Sequence, residues 1–138
     1  MMNPSDTSCP CGHQKPFLQC CGRFLSGKQY AKTPEQLMRS RYSAYALGGY
    51  GDYLLQTWFP ATARGLTVAE LSGRSVNWCK LDVMGKSQQG DNGEVEFKAY
   101  FYPDDIALHD GDAQLEVMHE KSTFKRSQGR WYYVGGRI

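Results

Sequence analysis

Between Glu94 and Tyr102 apolar and polar positions alternate, with Val95, Phe97, Ala99 and Phe101 on one face and Glu94, Glu96, Lys98 and Tyr100 on the other. That period of two predicts a strand with one buried face. Upstream, residues 76–85 place Cys79, Leu81 and Val83 at the same period, and Gln88 to Gly93 form a turn-rich break. Downstream, a long strand is expected over 113–126. A Ser127-Gln128-Gly129 turn and a further strand over 130–135 follow it, while 103–111 reads as an acidic loop. The first half of the chain carries the other period. Met38, Arg41, Tyr42 and Tyr45 fall at i, i+3, i+4 and i+7, on one face of a helix. Thr33 is its predicted cap, Pro34 its first residue and Gln36 the partner in a capping box; Gly48-Gly49 ends it. Shorter helices are expected over 52–58, closed by Pro60, and over 67–71, capped by Thr67 with Glu70 three residues on. Helices followed by antiparallel hairpins make an α+β pattern, and a curved sheet closed by helices encloses a cavity.

Composition changes this picture little. The chain has 138 residues, 41% hydrophobic and 13% aromatic, enough for one folded domain and a small module. A net charge of +2 is too mild to argue for nucleic acid, and no specific nucleic-acid motif is present. Met1 to Ser8 holds no apolar run, so neither a signal peptide nor a membrane span is expected and the location expected is cytoplasmic. No serine-histidine-aspartate order, phosphate-binding loop, dinucleotide fingerprint or metal-hydrolase motif is found.

Four of the five cysteines crowd into the first 21 residues, as Cys9-Pro10-Cys11 and Cys20-Cys21. Two close pairs joined by a short loop can converge on one tetrahedral metal. A disulfide framework would suit a secreted chain, but in a reducing compartment clustered thiols favour metal. A bond between the adjacent Cys20 and Cys21 is disfavoured by strain. Zinc is expected, and iron fits the same geometry. Four thiolates on a divalent ion leave two excess negative charges, which Lys15, Arg23 and Lys28 are placed to offset. Gly12 and Gly22 follow the two pairs, where the backbone turns tightly near sulfur. So small a module has almost no core, and metal would supply much of its folding energy.

Cys9-Pro10-Cys11-Gly12, Lys15, Phe17 and Cys20-Cys21-Gly22 resemble the SEC-C motif, the zinc-binding element at the C-terminus of the SecA translocase. His13, Gln14 and Pro16 depart from the usual loop, while the four ligand positions are intact. The segment from Thr33 to Ala46 resembles the signature helix of the YchJ family. So do Asp52-Tyr53-Leu54, Thr57-Trp58, and Ser122-x-Phe124 ahead of Gly129-x-Trp131-Tyr132-Tyr133. The resemblance implies a SEC-C-like module over 1–28 and a cone-shaped domain like nuclear transport factor 2 over 29–138. Where the family usually has Thr-Trp-His-Pro, this chain has Thr57-Trp58-Phe59-Pro60, so a histidine available as a base is missing.

In the body, Arg41 sits in the middle of the helix face expected to meet the sheet. A buried guanidinium needs a partner, with Glu120 first and Asp52 second; an anion-binding role and a head reaching solvent are the alternatives. His119 and Glu120 are neighbours on a strand and point to opposite faces, so they cannot act together. Cys79 reads as a small buried hydrophobe. Arg41, Tyr45, Trp58 and Glu120 are the pocket candidates, and no catalytic residue is assigned.

Two functions fit. One is a zinc-binding adaptor whose module docks on a macromolecular partner, a ribosome or secretion chaperone by analogy with SecA. The other is a small-molecule enzyme of isomerase or hydrolase type using the cone's pocket. An open cavity holding an unpaired ionisable group would favour the second.

Overall fold

Thr33 begins the main helix as expected, its Oγ1 accepting from the Gln36 backbone N–H at 3.1 Å. The capping box is displaced by one residue, because Gln36 Oε1 accepts from the N–H of Lys32 at 2.8 Å. The structure is a computed structural model and describes residues 8–73, 76–103 and 115–138. Most of the expected acidic loop and the first two residues of the strand expected from 113 lie outside the described residues.

Among the described residues four helices come first: α1 (Gly22–Leu25), α2 (Pro34–Leu47), α3 (Gly51–Gln56) and α4 (Val68–Ser72). A 3-10 turn at Phe17–Gln19 precedes them. The cysteine loop thus runs directly into helix at Gly22–Leu25. Thr67 caps α4 through the Glu70 N–H. Trp58, expected in the second helix, lies beyond α3 and forms a parallel bridge with Tyr133.

Four antiparallel strands follow among the described residues, in the sheet order β1-β2-β3-β4: β1 (Asn77–Gln89), β2 (Asn92–Tyr102), β3 (Glu116–Ser127) and β4 (Arg130–Arg137). Both β1 and β2 run further into the Gln88–Gly93 break than periodicity suggests. Backbone pairing continues to Gln89 opposite Asn92, leaving only Gly90 and Asp91 as a two-residue turn. Val95, Phe97 and Ala99 point into the core as the alternation requires.

The register of β1 against β2 slips between Trp78 and Lys80. A bulge re-aims the side chain at the slip. Cys79 is therefore exposed, its Sγ 3.4 Å from the Tyr100 carbonyl, which corrects the expectation of a buried thiol. His119 is exposed and meets Glu96 at 2.7 Å.

The core crosses the expected 28/29 boundary. Cys9, Cys11, Cys20, Cys21 and Phe24 belong to the same buried cluster as Leu37, Met38, Tyr42, Leu81 and Trp131. Among the described residues no helix is long and apolar enough to cross a membrane.

Candidate metal centre and cavity

The chain from Ser8 to Pro16 doubles back, with the Cys9 N–H donating to the Lys15 carbonyl at 2.8 Å. This brings Cys9 and Cys11 over the 3-10 turn, after which Cys20 and Cys21 lead into α1. The four Sγ atoms lie within 4.8 Å of one another, and Cys11 and Cys20 are 3.6 Å apart. A tetrahedron with a metal–sulfur distance of about 2.3 Å has sulfur–sulfur edges of about 3.8 Å. The cluster therefore fits a four-thiolate metal ion.

Its protonation says the same. Neighbouring thiols donate hydrogen bonds to Cys9 and hold its pKa well below the usual thiol range. The hydrogen bond with Cys21 pulls Cys11 down, but Cys9 and burial outweigh it and push Cys11 up to about 12, while hydrogen bonds with Cys11 and Cys9 together with burial push Cys21 higher still. Four thiols this close cannot all ionise without a cation among them.

Several supports of the cluster were not read from sequence. Arg39 Nη1 donates to the Cys11 carbonyl at 2.7 Å, while its Nε bonds Glu35 at 2.9 Å. Glu35 also takes Lys86 Nζ at 2.6 Å. Burial alone would raise the Glu35 pKa, but the hydrogen bonds from Lys86 and Arg39 carry it below the usual carboxylate range. Ser43 Oγ is 3.6 Å from Cys9 Sγ, and His13 Nδ1 is 3.9 Å from Cys20 Sγ. Of the cations nominated from sequence, Arg23 bonds the Cys20 carbonyl, while Lys15 and Lys28 are solvent-exposed. A doublet of arginines in a helix looks like any solvated face; only the folded position of the cysteine loop gives Arg39 its acceptor.

Two glycines are required here. Gly12 has φ +88°, which suits a residue without Cβ. A Cβ on Gly22 would lie 2.7 Å from the Phe17 carbonyl oxygen. Gly22→Ala should push the 3-10 turn off α1 and weaken metal binding about 10–100-fold, as loss of outer supports of a site does. Competition with a chromophoric chelator measures this. Unchanged affinity would show that the turn is not part of the site.

On the opposite side of α2, a cavity of about 240 Å³ opens against the sheet. The helix face read from sequence, Met38, Arg41, Tyr42 and Tyr45, lines it, and Trp58 and Glu120 complete the set of pocket candidates. Arg41 is buried as expected, but its partners differ. Nη1 donates to the Leu54 carbonyl and to Thr57 Oγ1, each at 2.7 Å, and the guanidinium lies over the rings of Trp58 at 4.9 Å and Tyr133 at 4.6 Å.

No ion pair joins Arg41 to Glu120 or Asp52, which corrects the expectation. The C-terminal turn of α3 offers nearer acceptors, and Glu120 is instead held by the hydroxyls of Ser122 and Tyr133. Burial lowers the Arg41 pKa, and Tyr45, Tyr133, Tyr53 and Glu120 act against that shift. Burial likewise pushes Tyr133 and Tyr42 up, so both hydroxyls stay protonated.

A family model described as YchJ, middle NTF2-like domain, matches residues 33–136. A UPF0225 protein of Sodalis glossinidius is 41% identical over 133 residues, covering 94% of this chain and 82% of that protein. One from Bordetella pertussis is 39% identical over 140 residues, covering 99% and 97%. Among solved structures, a SEC-C motif containing protein from Rhodopseudomonas palustris superposes with a TM-score of 0.82 at 34% identity, covering 96% of this chain and 98% of that one. Another from Psychrobacter arcticus gives 0.78 at 28% identity, covering 96% and 83%.

Proposed function

This chain belongs to the YchJ family, and on that premise we propose that it is a zinc-binding adaptor whose cysteine loop is held rigid for a macromolecular partner. One observation supports the reading above others: the four side chains gathered within reach of one ion are all cysteines. Four protein ligands fill a tetrahedral site and leave no position for substrate, so the ion would be structural. It would fix a loop that presents His13, Gln14, Lys15 and the 54%-exposed Leu18 to solvent. A rigid loop with an apolar tip and a cation is a docking element at low entropic cost. By analogy with the SEC-C element of SecA, the partner would be a ribosome or a secretion chaperone.

The test uses purified ribosomes and a purified secretion chaperone with metal-loaded protein. At least one should bind. Cys20→Ser should abolish binding, and Lys15→Glu with Lys28→Glu should weaken it about tenfold or more, less so at high salt. Binding indifferent to both ligand loss and charge reversal, or none to either partner, would count against the adaptor.

A second reading is favoured by the cavity, which holds Arg41 and Glu120 unpaired with each other. It is a small-molecule site, the setting for an enzyme of isomerase or hydrolase type.

A further inference from the structure

The cavity differs from a packing void in its polar atoms. Its walls are mostly apolar and aromatic, and one of the lining residues, Trp58, carries a buried Nε1 donor with no hydrogen-bond partner among the described residues. Such groups are rare in folded proteins and costly, and each asks for a reason. Arg41, only 5% exposed, lines the same space. Its Nη1 bonds two acceptors and the Tyr45 hydroxyl is a further side-chain partner, while a guanidinium has five N–H groups to place. Glu120 lines the cavity as well, near enough to act on the charge of Arg41 but outside ion-pair contact. The hydroxyls of Ser122 and Tyr133 both donate to its Oε2, and Oε1 receives no hydrogen bond among the described residues.

Charge selects the class of ligand. Arg41 and Glu120 sum to zero. A lone anion would add an uncompensated charge beside Glu120, and a lone cation would add one beside Arg41, each costly away from water. A purely apolar molecule would leave Trp58 Nε1 unpaired. A molecule carrying both charges preserves the sum and offers an acceptor to Arg41 and Trp58 and a donor to Glu120. The volume is below the ~300–1,000 Å³ typical of sites for drug-sized ligands, and equals about eight waters at ~30 Å³ each.

We propose that this cavity binds a small dipolar amphiphile, a carboxylate and an amine on an apolar or aromatic body, of the size of one large apolar amino acid. The proposal rests on the small-molecule reading above and sharpens it. The carboxylate accepts from Arg41 and Trp58 Nε1–H, the ammonium donates to Glu120, and the body lies among Tyr42, Trp78 and Phe97.

The test follows the Trp58 indole N–H by two-dimensional NMR, its peak assigned with Trp58→Phe. L-phenylalanine, 3-phenylpropionate and 2-phenylethylamine are titrated to about 20 mM, which covers millimolar affinity. L-phenylalanine should shift the peak saturably and bind about tenfold or more tighter than either singly charged analogue. Glu120→Gln should make 3-phenylpropionate the tighter ligand. If a singly charged analogue binds as well as L-phenylalanine, or Glu120→Gln leaves the preference unchanged, the dipolar assignment is wrong and the small-molecule reading stands. If no probe moves the Trp58 peak, both are overturned.

Discussion

Cys20→Ser is expected to lose the bound metal and to melt more than the cysteine loop. Wild-type protein purified under reducing conditions without chelator should carry about one equivalent of metal, and the variant close to none. The four cysteines are at most 4% exposed and share one buried cluster with Leu37, Met38 and Phe24. Losing the ion therefore opens a face of α2, where an isolated knob would unravel alone. Loss of a structural metal belongs to the most damaging class of change, on the order of 4 kcal/mol or more. For a chain of this length that lowers Tm by on the order of 15 °C. Loading should also depend on pH in one direction. Metal takes only thiolates, and with Cys11 pushed up to about 12 and Cys21 higher, protons must be displaced near neutral pH. Each displaced proton weakens apparent affinity about tenfold per unit fall in pH. Elemental analysis and chelator competition across pH 6–8 check both points; metal-free wild-type protein would sink the assignment.

Arg41→Met should destabilise the fold by about 2–4 kcal/mol, read by chemical or thermal denaturation. It removes two charge-assisted hydrogen bonds, each worth about 1.5–3 kcal/mol, and contacts with two rings at about 0.5–2 kcal/mol. Relief of guanidinium burial offsets part of this. Glu120→Gln separates this account from an ion pair. Were Glu120 the partner, the change would cost about 3–5 kcal/mol, because it would strand a buried cation. Since Ser122 and Tyr133 donate to Glu120, an amide oxygen can replace the carboxylate, and the expected cost is below about 1 kcal/mol. A large loss in Glu120→Gln, or a neutral Arg41→Met, would overturn the arrangement.

What the sequence by itself determined was local. The alternation over Glu94–Tyr102 fixed which side chains of β2 are buried, because strand geometry leaves no other choice. Thr33 and Pro34 fixed where α2 begins, since capping involves residues three apart. The spacing of Met38, Arg41, Tyr42 and Tyr45 placed all four on the cavity wall. The cysteine spacing and its family resemblance picked out the four thiols that the fold brings together.

What only the tertiary structure decided was which distant groups meet. A bulge in the β1–β2 ladder turned Cys79 outward, and no periodicity announces a bulge. Arg41 found its acceptors at the end of α3 and not on β3, because the approach of α3 to α2 depends on packing. Arg39 joined the metal loop only because Cys11 folds back over α2, 28 positions away in the chain. The spacing of side chains along one element follows from backbone geometry. Contacts between elements depend on register and packing, which a single stretch of sequence does not encode.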